Sequence, residues 1–318
     1  MRPMRLRADM AESKKWSVYF QNPEFLERTR LFMIHPDMFP LVRRWCGIKD
    51  GVRLLDVGCG TGYFTRLLSS GGEMVTASGI DLEEPFIEYA KKEAAEQGLP
   101  IEFIVGDALS LPFEDNTFDA VVSHTFFTSI PDPERAMAEM IRVIKPGGII
   151  SSVTPMSFAP ECTTGGEWGA EKDWIKEFNI LFARIYGAYF VIDSLRSRLG
   201  GLKPKAVPGF FSKHGLKNVS AYSIGKIFAL SSRAVSDEDK LRYIRLYQES
   251  EDKKLKVYEE LPEMREKVTE EDRKRFRELL DRKCEWLKEH IHDNDTWEWQ
   301  GGANLLVTGV CEKKGEKL

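Results

Sequence analysis

The sequence predicts an α/β fold: a sheet of seven strands with helices on both faces, and a helical cap made of two insertions. Three observations carry this prediction. From Val52 to Thr154, short apolar runs alternate with amphipathic stretches, the rhythm of a parallel sheet covered by helices. The first of those runs passes straight into a glycine-rich turn that opens a helix. Two long helical segments, 156 to 203 and 233 to 300, interrupt the strands that follow.

Taken in order, Asn22-Pro23-Glu24 supplies an N-cap, an N1 proline and a favourable acid for a short helix with Phe25, Thr29 and Phe32 on one face. VRLLDV (52 to 57) reads as the first strand, and the stripe Phe64, Leu67, Leu68 as a helix ending at Gly71-Gly72. MVTASGI, IEFIV, FDAVVS and GGIISSVT read as strands two to five. Helices lie between them over Glu84 to Gln97, with Gly98 as C-cap, and over Pro133 to Lys145, stopped by Pro146-Gly147. In the first insertion Trp174, Phe178, Leu181, Phe182, Ile185 and Tyr189 recur at helical spacing. PGFFSKHG is a short helix, a sixth strand starts near Val219, and ANLLVTGVC is the last strand. The second insertion holds 17 acids and 15 bases between Asp237 and His290, so its exposed faces are laced with opposite charges rather than self-repelling. Capping boxes at Ser236/Asp239 and Thr269/Asp272, and apolar stripes Leu241, Ile244, Tyr247 and Phe276, Leu280, Cys284, Leu287, Ile291, mark two helices there. The expected organisation is a disordered 1–15, a helical lid 16–50, a core 51–155, an insertion 156–203, core helix and strand 204–232, a second insertion 233–300 and a last core strand 301–313.

Of 318 residues, 42% are apolar and 30% charged, the balance of a folded globular chain. A net charge of −4 leaves no global basic field to hold a phosphate backbone, which disfavours nucleic acid as partner. The five cysteines, Cys46, Cys59, Cys162, Cys284 and Cys311, are scattered, with no C-x-x-C, so neither a disulfide framework nor a metal site is expected. The basic N-terminus lacks the apolar stretch of a signal peptide and no run is long enough to span a bilayer; the expected location is the cytoplasm, without membrane insertion.

Chemistry concentrates at DVGCGTG, residues 56 to 62. Glycines here let backbone approach a ligand, and the following helix offers unpaired N–H groups. Asp81 ends strand two, 19 residues after Gly62, the spacing at which a carboxylate reaches ribose hydroxyls. The glycines run G-x-G-x-G, with Tyr63 where a dinucleotide fingerprint wants its third glycine, so NAD is disfavoured.

LLDVGCGTGYF, the acid of GIDLEE, VGDALSLPF, FDAVVSHTFF and RVIKPGG together resemble class I S-adenosylmethionine-dependent methyltransferases, in the small-molecule branch of ubiquinone and menaquinone biosynthesis. The resemblance spans about residues 50 to 155 and implies a Rossmann-like methyltransferase sheet, with S-adenosylmethionine as cofactor, S-adenosylhomocysteine as product and no metal. It implies that Gly58, Cys59 and Gly60 line the methionine end with Asp56 supporting the loop. Asp81 takes the ribose, Leu82 packs on adenine, and Asp107 and Ala108 meet the adenine edge. Ser123 and His124 lie by the reacting centre, and Tyr19 and Phe20 belong to an aromatic segment closing over the cofactor. Many relatives carry a histidine where this chain has Phe127-Thr128-Ser129.

A sulfonium is an activated methyl donor, so the protein mainly aligns; a general base is needed only when the acceptor must lose a proton. His124, at the carboxyl end of a central strand, is the candidate base. Phe20, His35, Phe127, Trp297 and Trp299 are candidate substrate-pocket residues, although His35 also suits a helix terminus. Both insertions are expected to build over the active site. The resulting expectation is methyl transfer to a small, partly aromatic or apolar metabolite by a monomer or homodimer. A methyltransferase acting on protein or RNA, and a non-catalytic cofactor-binding regulator, stay open as alternatives.

Overall fold

The computed structural model describes residues 23–30, 34–156, 172–191, 201–225, 227–230, 232–233, 235–260, 262–292, 299–301 and 303–313. In chain order these form α1 (Pro23–Arg30), α2 (Phe39–Trp45), β1 (Arg53–Val57), α3 (Tyr63–Ser69), β2 (Thr76–Asp81), α4 (Glu84–Glu96) and β3 (Glu102–Val105). Then come β4 (Phe118–His124), α5 (Pro133–Val143), β5 (Ile144–Met156), α6 (Asp173–Val191), α7 (Val207–Lys213) and β6 (Lys217–Ser223). The chain continues through α8 (Asp237–Glu260), α9 (Pro262–Lys267), α10 (Glu270–Glu289) and β7 (Ala303–Val310). It divides into two compact units, one of Met1–Phe158, Leu199–Lys226 and Gly302–Leu318, the other of Ala159–Arg198 and Ile227–Gly301.

The first unit is built on the seven-stranded sheet, in the order β3-β2-β1-β4-β5-β7-β6. Strands β1 to β5 are parallel, and β7 runs antiparallel to both its neighbours, β5 and β6. Successive residues of β1 enter opposite cores, Leu54 with Phe64, Leu68 and Val42, and Leu55 with Val121, Met137 and Met140. Burial on both faces is what a parallel strand requires. Chain order reverses between β1 and β4, so the crevice at their carboxyl ends is the topological switch point where open α/β sheets hold ligands.

Helix α5 and strand β5 meet earlier than the sequence suggests. The helix stops at Val143, capped at its start by the Asp132 carboxylate, and Ile144 already pairs with Phe118. Residues 145–148 then loop out before Ile149 pairs with Ala120; Gly147 takes φ +78 there, and its N–H donates to the Cys311 carbonyl at 2.8 Å.

In the second unit, the stripe Trp174, Phe178, Leu181 and Ile185 of α6 is buried, and Phe178 stacks on Phe276 of α10 at 5.1 Å. Arg275 grips Glu177 through two 2.7 Å bonds, as the mixed charge pattern predicts. The Thr269/Asp272 capping box forms in full. One expected stripe is corrected: Leu241 is exposed, and Lys240 is buried instead, its Nζ donating to the Ile291 carbonyl at 3.0 Å. A long aliphatic stem covers apolar surface while its ammonium finds a backbone acceptor. A two-stranded ribbon, Ile227–Ala229 against Trp299–Gly301, was not foreseen.

Candidate active site

Strand β1 ends at Val57 and the chain turns through Gly58, Gly60 and Gly62, at φ +69, +54 and +73. At Gly58 a Cβ would lie 2.4 Å from Cδ2 of Phe126, so this position has no space for a side chain. Gly60 N–H donates to Oδ2 of Asp81 at 2.9 Å, and Glu83 N–H to Oδ1 at 3.0 Å. Each carboxylate oxygen keeps a second lone pair for a ligand hydroxyl. Leu82 beside it is 71% exposed, an apolar surface at the rim of the crevice. A carboxylate, an exposed apolar side chain and a glycine-rich turn suit a nucleoside with a vicinal diol, so these residues fit the cofactor that the resemblance implies.

The electrostatics are unusual for carboxylates. Burial raises Asp56 to about 7 against the Thr65 hydroxyl, which donates to Oδ2 at 2.6 Å, and the Asp81 charge raises it further. Oδ1 of Asp56 has no partner among the described residues. Burial likewise raises Asp81 to about 6, opposed by the Glu83 and Gly60 amides. His124 ends β4 with its ring 5.6 Å from that of Phe64. Burial, then the Arg30 charge, pushes it well below the usual imidazole range, and its buried Nε2 has no partner among the described residues. Thr125 follows at φ +57, a left-handed conformation that costs a β-branched residue about 1–3 kcal/mol.

Other expected residues fall less centrally. Asp107 is exposed and accepts from Leu109 N–H at 2.8 Å; Ala108 is half-buried. Ser123 is fully buried, its hydroxyl donating to Ser152 Oγ at 3.1 Å. The Cys59 thiol is buried with Phe103 of β3 and Ile87, Ala90 and Ala94 of α4, and burial raises it well above the usual range. Phe127, expected in the substrate pocket, is a correction: it is 1% exposed and meets Phe210 and Phe211 edge-on inside the core. An aromatic residue beside a site reads alike as lining or core until packing decides. His35 caps the 3₁₀ turn Pro36–Met38, its Nδ1 accepting from Asp37 N–H at 3.3 Å. Tyr19, Phe20 and Trp297 lie outside the described residues; Trp299 stands in the ribbon, its side chain outside them.

Three residues not anticipated, Glu27, Thr61 and Arg66, form a buried cluster on the glycine turn. Among the described residues, no group of three or more His, Cys, Asp or Glu could hold a metal, and no helix is long and apolar enough to cross a membrane.

The family described as "Methyltransferase domain" matches residues 55–152. The chain is 29% identical over 229 residues to the demethylmenaquinone methyltransferase of Bacillus subtilis, a match covering 67% of this chain and 94% of that protein. It is 41% identical over 105 residues to the demethylmenaquinone methyltransferase of Staphylococcus aureus, covering 33% of this chain and 43% of that one. Among solved structures, phosphoethanolamine N-methyltransferase 2 of Haemonchus contortus, in complex with phosphomonomethylethanolamine and S-adenosylhomocysteine, aligns with a TM-score of 0.50. That match has 15% identity and covers 94% of this chain and 59% of that one, which speaks for the fold.

Proposed function

We propose that the chain acts as a class I S-adenosylmethionine-dependent methyltransferase and methylates a small, partly aromatic or apolar metabolite by in-line displacement. The observation that carries this reading is the placing of the glycine turn, Asp81 and the buried His124 at the carboxyl ends of β1, β2 and β4, the switch point of the sheet. When bound, S-adenosylmethionine supplies a methyl group already activated on a sulfonium.

On this reading Asp81 binds the ribose diol, Leu82 covers the adenine, and Asp107 and Ala108 meet its edge. Gly58, Cys59 and Gly60 line the methionine end while Asp56, bonded to Thr65, braces the turn from below. Two carboxylates here favour a cation over a neutral molecule, which suits a sulfonium. His124 takes the acceptor's proton on a ring nitrogen, with Ser123 behind it tied to Ser152. Because burial weakens its basicity, His124 serves acceptors that are themselves acidic, such as a phenol or an activated carbon. The relative from Bacillus subtilis, named for demethylmenaquinone, supports an apolar acceptor. The partner is then a small molecule rather than nucleic acid, met in the cytoplasm by a monomer or homodimer.

Calorimetric titration with S-adenosylhomocysteine is the first test, and no binding by folded protein at high-micromolar ligand overturns the reading. Incubation with labelled methyl donor and cell extract then identifies the product by mass; label found only in protein or RNA overturns the small-molecule assignment.

A further inference from the structure

Helix α1 turns two neighbouring residues inward, Leu26 and Glu27. Leu26 lies against the glycine turn, 3.1 Å from where a Cβ of Gly60 would stand. Glu27 accepts from the Thr61 hydroxyl at 2.7 Å through Oε2, and from Nη2 of Arg66 through Oε1. Nη1 of Arg66 donates in turn to the Thr61 carbonyl at 2.6 Å. A closed ring of bonds therefore joins α1, the turn and α3. Its three members are 8%, 2% and 3% exposed.

Two opposite charges withdrawn from water add little net stability compared with an apolar contact of the same size, but they demand a particular geometry. That geometry falls on Thr61, which sits between Gly60 and Gly62, both at positive φ, while Gly60 N–H holds the Asp81 carboxylate. The peptide that would face a ligand is thus set from one side by α1 and from the other by α3.

We propose that Glu27 is a positioning residue for the cofactor: through Thr61 and Arg66 it holds the glycine turn in its binding shape and couples the seating of α1 to cofactor occupancy. This rests on the reading that the turn holds S-adenosylmethionine. Coupling of this kind is reciprocal, so cofactor binding also tightens α1.

Helix α3 offers a matched control. At the other end of α3, Arg43 donates to the Leu67 carbonyl at 2.9 Å and pairs with Glu73, again a buried guanidinium on a carboxylate, but not on the turn. The experiment compares Glu27→Gln, the apolar pair Glu27→Leu with Arg66→Met, and Arg43→Met in the full chain, reading S-adenosylhomocysteine Kd, Tm and the KM against kcat split.

Both Glu27 variants are expected to raise Kd at least about ten-fold, the loss of one charge-assisted hydrogen bond, with KM for the methyl donor rising more than kcat falls. Arg43→Met lowers Tm and leaves Kd within about two-fold. In the wild type, S-adenosylhomocysteine slows amide exchange in α1 together with the turn. Unchanged Kd in either folded Glu27 variant, an equal Kd shift in Arg43→Met, or protection of the turn without α1 each overturn the coupling. A wild-type chain that does not bind overturns the cofactor reading itself, and the coupling with it.

Discussion

Two aspartates on neighbouring parallel strands are driven in opposite directions. Asp56, near the carboxyl end of β1, is fully buried with one oxygen unpartnered among the described residues, and burial raises its carboxyl to about 7. Asp119, near the amino end of β4, accepts from Lys145 Nζ at 2.7 Å and Arg53 N–H at 3.0 Å. Burial pushes its carboxyl up, but the Lys145 and Arg53 bonds and charges outweigh that and hold it low. One edge of the sheet satisfies its own charges; the other gathers Asp56, Asp81, His124 and the strained Thr125. Groups kept in unfavourable states at that end of the sheet are what the proposed site requires, at some cost in stability.

The comparison breaks most severely if the carboxyl edge is given ordinary backbone. Gly58→Ala places a Cβ in the Phe126 ring at φ +69, with about 1–2 kcal/mol of left-handed strain and about 1–3 of overpacking. Methyl transfer and S-adenosylhomocysteine binding should fall below detection in a folded protein, whereas Gly72→Ala, at φ +96 with open space around it, should leave Kd unchanged. Next in size is His124→Phe, which keeps a ring against Phe64. It should lower kcat about 100-fold or more in single-turnover assays while cofactor Kd holds. Asp81→Asn removes one of the two oxygen acceptors that hold the turn and that the proposed reading gives to the ribose; calorimetry should show Kd raised roughly 10- to 100-fold.

Opposite pH slopes sharpen the contrast. A carboxyl raised in the fold contributes stability that is lost as pH climbs through its folded value, so Asp56 and Asp81 make the sheet unit less stable toward and above neutrality. Asp56→Asn should flatten the decline in Tm between about pH 4 and about pH 7. The depressed Asp119 has the reverse sign, its contribution vanishing in acid. Smallest of all, Asp119→Ala should cost no more than about 1 kcal/mol in denaturant melts, its pair being partly exposed, with cofactor Kd untouched.

Much of this was legible beforehand because it is local. Apolar runs such as RLLDV, the G-x-G-x-G turn and the acid ending β2 each announce themselves within a few residues. The Glu27–Arg66 pair does not, since 39 residues separate its members and only tertiary packing joins them. Phe127 was misplaced because a buried phenylalanine and a pocket phenylalanine carry the same local signal. Lys240 displaced Leu241 on its helix because one ammonium found a carbonyl across the unit. Nothing local foretells Thr125 at positive φ, a conformation its own side chain disfavours.

The position of β7 has a consequence for the birth of the molecule. Its eight residues pair with Ile149–Met156 on one side and with β6 on the other, yet they are translated after the whole helical unit. A nascent chain therefore carries its glycine turn, its acids and His124 long before β5 and β6 can be joined, and until then both present bare edges to any neighbouring strand. Synthesis halted short of Ala303 would leave a polypeptide with nearly all of its chemistry and an unfinished sheet, the form that quality control must recognise.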